Sequence, residues 1–156
     1  VVTMQVTAVR RIWTGAANTD WSNGANWLPA LIVPEPADSA TVDDTAPLFP
    51  ALTANSAISQ LEVLDVTPGG TIPTVALGAF NLTASGNVFT TSSGAITSTT
   101  GTLVLAGASR IVYGNLPLIL VTGTYTLGGN LTARAPEGVD AGNLQNDAFE
   151  MNVDAQ

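Results

Sequence analysis

Leu61, Leu82 and Leu103 follow one another at intervals of twenty-one residues, and Tyr125 or Leu127 continues the series after twenty-two or twenty-four. Each sits in a short segment that alternates apolar with polar residues and is bounded by Gly, as in "AFNLTASGNVF", "GAITSTTGTLVLAG" and "GTYTLGGNLTARA". Such alternation is the pattern of half-buried strands, with the glycines supplying turns between them. An interval of about twenty residues restricts what these strands can build, because each interval has to return the chain to the same face one strand spacing, about 4.8 Å, further along. Two or three short strands per interval do this in a parallel β-solenoid. Local wording recurs too: "NLTASG" from Asn81 returns as "NLTARA" from Asn130, and "GTLVLAG" from Gly101 as "GTYTLGG" from Gly123. No segment carries a helical period with caps and a charged outer face. The expectation is an all-β chain whose residues 55–135 form a short right-handed parallel β-solenoid of about four coils. The three leucines are then expected to point inward and stack in successive coils. An antiparallel β-sandwich is the alternative, since short strands at regular spacing suit it as well; the recurrent wording favours the solenoid.

Composition removes several function classes. Charged residues are 10% of the 156 and hydrophobic ones 46%, the reverse of a disordered chain, and the length suits one domain. Twelve carboxylates oppose four arginines, Arg10, Arg11, Arg110 and Arg134, for a net charge of −8. Non-specific nucleic-acid binding needs clustered cations on the phosphates, so nucleic acid is not an expected partner. The apolar run "LPLILV" from Leu116 to Val121 is too short to span a bilayer, and membrane insertion is not expected. With neither Cys nor His, thiolate nucleophiles, imidazole bases and most transition-metal sites are removed, and no cofactor is expected. Residues 1–13 lack the charged, apolar and small-residue order of a secretory signal. Either such a segment was removed or the chain reaches its place by assembly inside a cell.

All three tryptophans lie in one turn-rich stretch, "WTGAANTDWSNGANW". The end of a coil stack exposes unpaired backbone groups and an apolar cross-section, both of which need covering. Trp suits that position, since a ring buries up to roughly 250 Å² and its N–H can reach a turn carbonyl. Trp13, Trp21 and Trp27, with Asn26 and Asp38, are the expected structural cap. A carbohydrate platform is the competing reading of the same rings.

The pattern Trp13-Thr-Gly15, Asp20-Trp21-Ser22, Asn26-Trp27, Val33-Pro34 and Asp38-Ser-Ala-Thr-Val42 resembles the opening of a loosely defined family of capped β-solenoid modules. Such modules occur in virion accessory proteins of tailed bacteriophages and in secreted or adhesin-like proteins of bacterial surfaces. The resemblance implies a cap followed by a solenoid, and no chemistry.

Carboxylates are the reactive groups that remain. A pair about 5 to 9.5 Å apart can cleave a glycosidic bond, and Glu62 with Asp65, or Asp43 with Asp44, are the candidates; solvated acids at turns are the preferred reading. In "DSATVDD", Asp38, Asp43 and Asp44 could offer oxygen ligands to a hard cation, without the spacing of a known calcium loop. No catalytic or metal-binding residue is therefore assigned. The Asn-Leu-Thr triplets at Asn81 and Asn130 match a glycosylation acceptor, but Asn at two equivalent corners is the expected reading.

Residues 116–121 alternate so that Leu116, Leu118 and Leu120 face one way and Pro117, Ile119 and Val121 the other. A strand apolar on both faces is buried on both, so one face is expected to meet a partner subunit or the tail. Phe149, Met151 and Val153 alternate likewise, and with the three leucines they are the candidate partner contacts. The expected organisation is an arm (1–12), a Trp-rich cap with the first strands (13–54), the solenoid (55–135), and a tail making partner or intrachain contacts (136–156). The expected role is a non-enzymatic structural protein of a virion, such as a capsid decoration or cement protein, homo-oligomeric and bound to a protein lattice. The alternatives are a secreted bacterial surface module and, in third place, a carbohydrate-binding or glycan-cleaving module.

Overall fold

The computed structural model describes residues 7–91, 93–117, 119–121 and 125–133. The strands are β1 (Arg10–Trp13), β2 (Trp27–Leu28), β3 (Ser39–Asp43), β4 (Ser56–Ile58), β5 (Gln60–Leu64), β6 (Thr74–Ala76), β7 (Leu82–Ala84), β8 (Val88–Thr90), β9 (Ala95–Thr97), β10 (Leu103–Leu105), β11 (Arg110–Leu116), β12 (Ile119–Val121) and β13 (Tyr125–Ala133). One 3-10 turn at Gly24–Asn26 interrupts them. The chain is all-β.

Among the described residues nine strands form one sheet in the order β2-β1-β3-β5-β8-β11-β9-β6, with β13 also on β11, and four form a second, β12-β10-β7-β4. The β1–β2 pair is antiparallel, which makes the larger sheet mixed; the other pairings among the described residues are parallel. The larger sheet is two ladders joined through β11, whose first half lies beside β8 at Val112↔Val88 and whose second half lies beside β9 at Asn115↔Ala95. Isolated parallel bridges at Asp20↔Ala51 and Ala51↔Ala76 extend the β6–β9 ladder backwards. The chain visits the three ladders in a fixed order, β5, β6, β7 and then β8, β9, β10.

Burial follows the two-residue period of a strand. Ala40, Leu61, Val88 and Val112 make one inward row in the first ladder, Val75 and Ile96 face in from the second, and Leu82 with Leu103 and Ala84 with Leu105 face in from the third. All are buried and join a single core.

The bend in β11 falls at Gly114, where φ is 104° and the pairing with β13 shifts register. A Cβ there would stand 2.7 Å from the Thr90 carbonyl oxygen, and the positive φ disfavours any L side chain. Gly114→Ala is expected to lower the free energy of unfolding by about 1–3 kcal/mol, read from the urea midpoint; an unchanged midpoint would show that the bend does not depend on glycine.

Several expectations from spacing need correction. Leu82 and Leu103 are register partners, but Leu61 belongs to another ladder, between Ala40 and Val88, while Ser56 stands beside Leu82. Leu127 pairs with Val112 and Tyr125 with Arg110, so neither continues the leucine column. The true interval is irregular: along the first ladder Ala40 precedes Leu61 by twenty-one residues, Leu61 precedes Val88 by twenty-seven, and Val112 precedes Leu127 by fifteen. The loops between strands absorb the difference, which a constant spacing cannot register. The ladder also starts earlier than residue 55, because β1 and β3 are already members of it. The echoed segments fall on different faces, β7 and β10 in the small sheet but β13 in the large one, so Asn81 and Asn130 are not equivalent.

Asn81 does occupy a corner and ties three rounds of chain together. Its backbone N–H donates to Asn55 Oδ1 (2.9 Å) and its own Oδ1 accepts from the Thr102 N–H (3.0 Å). Gly101, one residue before Thr102, passes directly over the Phe80 carbonyl, where a Cβ would collide with backbone.

Candidate functional site

The tryptophan cluster is assembled from turns that present indoles to one another. Asn23 starts the 3-10 turn by accepting from the Ala25 N–H at 3.0 Å. This sends Trp27 into β2, in register with Trp13. Trp27 is the centre of the cluster, edge-on to Trp13 (centroids 5.0 Å apart, planes at 78°) and to Trp21 (4.7 Å, 75°). All three are buried. Trp13 Nε1 donates to the Leu48 carbonyl (2.6 Å) and Trp27 Nε1 to the Trp21 carbonyl (2.8 Å), while Trp21 Nε1 is buried without a hydrogen-bond partner. Buried Asn26 organises the loop around them. Its Oδ1 accepts from the Ala17 and Asn18 N–H groups, and its Nδ2 donates to Asn18 Oδ1 and the Asp20 carbonyl. No ring face of the three lies open for stacking on a sugar.

Asp38 is buried where the chain enters β3, with Arg11 lying across it. One carboxylate oxygen accepts from the Val9 N–H (2.8 Å), the other from Arg11 Nε (2.9 Å) and the Glu35 N–H (3.2 Å). Desolvation raises the carboxyl's pKa, but the Arg11 bond and the two backbone amides outweigh it and leave the group below its ordinary value. Arg11 also donates to the Pro29 carbonyl (2.9 Å), so the pair joins the strand entry to the loop after β2.

Asp43, Asp44, Glu62 and Asp65 are each held by separate partners. Asp38 and Asp43 flank opposite ends of β3, about 16 Å apart at the rise of a strand, so the "DSATVDD" carboxylates do not converge. Asp43 Oδ1 accepts from the Thr45 N–H and hydroxyl, whereas Asp44 accepts from the Val66 and Thr67 N–H groups, 3.1 and 2.8 Å away. Burial raises the Asp44 carboxyl's pKa, and those bonds more than reverse the effect, leaving it lowered. Asp65 accepts from the Ser93 hydroxyl (2.5 Å), while Glu62 points outward from β5 into a different network. Among the described residues no three carboxylates gather as a metal site would require.

The Glu62 network lies on the outer face of the larger sheet and was not legible in the sequence as a unit. Arg10 Nη2 (3.1 Å) and the Thr41 hydroxyl (3.0 Å) donate to Glu62 Oε2, Gln60 Nε2 donates to Oε1 (2.7 Å), and Arg10 Nε donates to Thr41 Oγ1 (2.9 Å). Register extends this group into a row across six strands: Leu28, Ile12, Thr41, Glu62, Phe89, Tyr113. Phe89 and Tyr113 stack, with centroids 5.1 Å apart and planes at 12°. Leu28 and Ile12 stand exposed at the opposite end. Glu62→Gln is expected to cost less than about 1 kcal/mol, because Arg10 is largely exposed and solvent screens the pair; a urea midpoint lowered by more would give the network a larger structural part.

The expected partner contacts fare differently. Leu116 is fully buried in the core and is no outer contact. The run from Leu116 to Val121 is not one strand: β11 ends at Leu116, β12 starts at Ile119, and they lie in different sheets. Leu120 lies in β12. Leu118, Phe149, Met151 and Val153 lie outside the described residues, as does the tail (136–156). No family model, curated protein or solved structure matches the chain.

Proposed function

We propose that the chain is a short right-handed parallel β-solenoid serving as a non-enzymatic structural module, set on a bacteriophage virion in the manner of a decoration or cement protein. The parallel registers of all three ladders support the solenoid, since an antiparallel sandwich would pair neighbouring strands in the opposite sense. One observation carries the structural role: several polar side chains among the described residues are bound across successive rounds of chain. Asp44 holds Val66 and Thr67, Asp65 holds Ser93, and Asn81 holds Thr102. The virion setting rests on the resemblance of the Trp13–Val42 pattern; a secreted bacterial surface is the alternative setting. A carbohydrate-binding module is the second reading, favoured by aromatic Phe89 and Tyr113 beside Gln60 and Glu62.

The test is retention on particles. Labelled chain added to gradient-purified virions that lack it should sediment with them through moderate salt and release no sugar from a polysaccharide panel. A chain that stays in the supernatant, or that cleaves a glycan, would overturn the reading.

A further inference from the structure

We propose that Asn23 is a deamidation site under the control of the loop that follows β2: the closed turn keeps it intact, and local opening of residues 28–32 lets it convert to isoaspartate. Asn23–Gly24 is the single Asn–Gly pair of the chain. Asn is a thermolabile residue, and a following glycine makes it more so, because no side chain shields the attacking nitrogen. Asn18, Asn26, Asn55, Asn81, Asn87 and Asn115 are followed by Thr, Trp, Ser, Leu, Val and Leu, which do shield it. Packing fixes the labile pair in place. A Cβ on Gly24 would stand 2.2 Å from the Leu31 carbonyl oxygen, so this position accepts only glycine.

The reaction needs no outside reagent but water. A base in solvent takes the Gly24 N–H proton, the nitrogen bonds to Asn23 Cγ, and the side-chain nitrogen leaves as ammonia with a proton from solvent. Water then opens the cyclic imide at either carbonyl and gives aspartate or isoaspartate. The ring closes only when the Gly24 nitrogen and Asn23 Cβ lie on the same side of the Cα–C bond, which for an L residue requires a negative ψ. In the folded turn ψ is 108° and the nitrogen lies on the Hα side instead. Three hydrogen bonds resist the rotation: Asn23 Oδ1 accepts from the Ala25 N–H (3.0 Å), the Asn23 carbonyl from the Asn26 N–H (3.0 Å), and the Gly24 carbonyl from the Trp27 N–H. The wall facing Gly24 is held less firmly. Ala30 and Leu31 have φ of 69° and 54°, which L side chains rarely adopt, and Leu28, Leu31 and Ile32 stand exposed. Strain and sparse burial are the marks of a segment that opens without global unfolding. Isoaspartate carries the backbone through the former side chain and lengthens it by one methylene, so the turn that delivers Trp27 beside Trp13 cannot re-form.

The complete chain, folded or in guanidinium, is kept in mildly alkaline buffer and followed by intact mass, with isoaspartate located by electron-transfer fragmentation of its peptides. The denatured chain should gain one mass unit at Asn23 before any other Asn. The folded chain should do so at least about a hundred-fold more slowly, the order of penalty for displacing reacting atoms by an ångström. Trp27→Phe, which weakens the anchor of the loop, should raise the folded rate about ten-fold, whereas Gly114→Ala, at the bend of β11, should leave it unchanged. Asn23→Ser keeps a capping oxygen and has no amide to lose, so it should fold as the parent does and gain no mass. Equal rates in the folded and denatured chains, or first conversion at another Asn, would overturn the proposal. Equal acceleration by Trp27→Phe and Gly114→Ala would overturn the local opening and place the conversion in the globally unfolded chain. A converted chain with an unchanged guanidinium midpoint would contradict the loss of the turn.

Discussion

Trp27→Ala is expected to lower the free energy of unfolding by about 3 to 5 kcal/mol, the range for truncating a buried aromatic residue. Trp27 is completely buried, packs edge-on against both other indoles, and donates its N–H to the Trp21 carbonyl. Its removal leaves a cavity, two unsupported rings and an unmatched acceptor together. A finer comparison separates these effects. Trp27→Phe loses a buried hydrogen bond, worth about 1 kcal/mol, in addition to volume, whereas Trp21→Phe loses only volume, because Trp21 Nε1 has no partner. Denaturation in guanidinium followed by far-UV circular dichroism measures all three variants on one scale. A Trp27→Ala variant within about 1 kcal/mol of the parent would show that the cluster is not what closes this end of the sheet.

Asp38→Ala should be nearly as damaging. Arg11 is only 7% exposed, and removing its carboxylate leaves a buried charge unpaired, which costs about 3 to 5 kcal/mol. The pH dependence has a definite sign. The folded state holds the Asp38 carboxyl below its ordinary value, so its stabilisation is complete above the unfolded pKa of about 4 and is lost as pH falls through the lower folded value. The parent should therefore lose stability on acidification below about pH 4 more steeply than Asp38→Ala does. Asp44, whose carboxyl is also lowered, contributes with the same sign in both proteins and does not account for the difference. Parallel slopes for the two proteins would remove Asp38 from the explanation.

What the sequence showed and what it hid follow from the range of each interaction. Alternation of apolar and polar residues is local, so the strands around Leu61, Leu82 and Leu103 were legible, as was the inward orientation of all three leucines. Which strands lie side by side depends on loop lengths. An interval of twenty-one residues correctly joins Leu82 to Leu103, yet it misplaces Leu61, because a twenty-seven-residue round leads from that leucine to its neighbour Val88. The Trp cluster was legible for a different reason: three large rings within fifteen residues of turn-forming sequence have few places to go but one another. Asp38 was named for its place in a pattern, but its burial with Arg11 was not foreseen, since the two are 27 positions apart and meet only once β1 pairs with β3. The Glu62 network was invisible, for Arg10, Thr41, Gln60 and Glu62 come from three strands and meet only through register.

The measurement that bears most directly on the proposed parallel solenoid is disulfide pairing between β3 and β5, neighbours over five register pairs in the first ladder. Parallel register places Ser39 beside Gln60 and Asp43 beside Leu64, all four half-buried. Antiparallel pairing about the same centre would place Ser39 beside Leu64 and Asp43 beside Gln60. In the parallel arrangement those last two pairs are about 14 Å apart, well beyond the reach of a disulfide. Four double-cysteine variants, oxidised at low protein concentration and assayed by intact mass, decide between them. The solenoid requires Ser39→Cys with Gln60→Cys and Asp43→Cys with Leu64→Cys to close within one molecule while the crossed pairs stay reduced. Closure of the crossed pairs instead would contradict it.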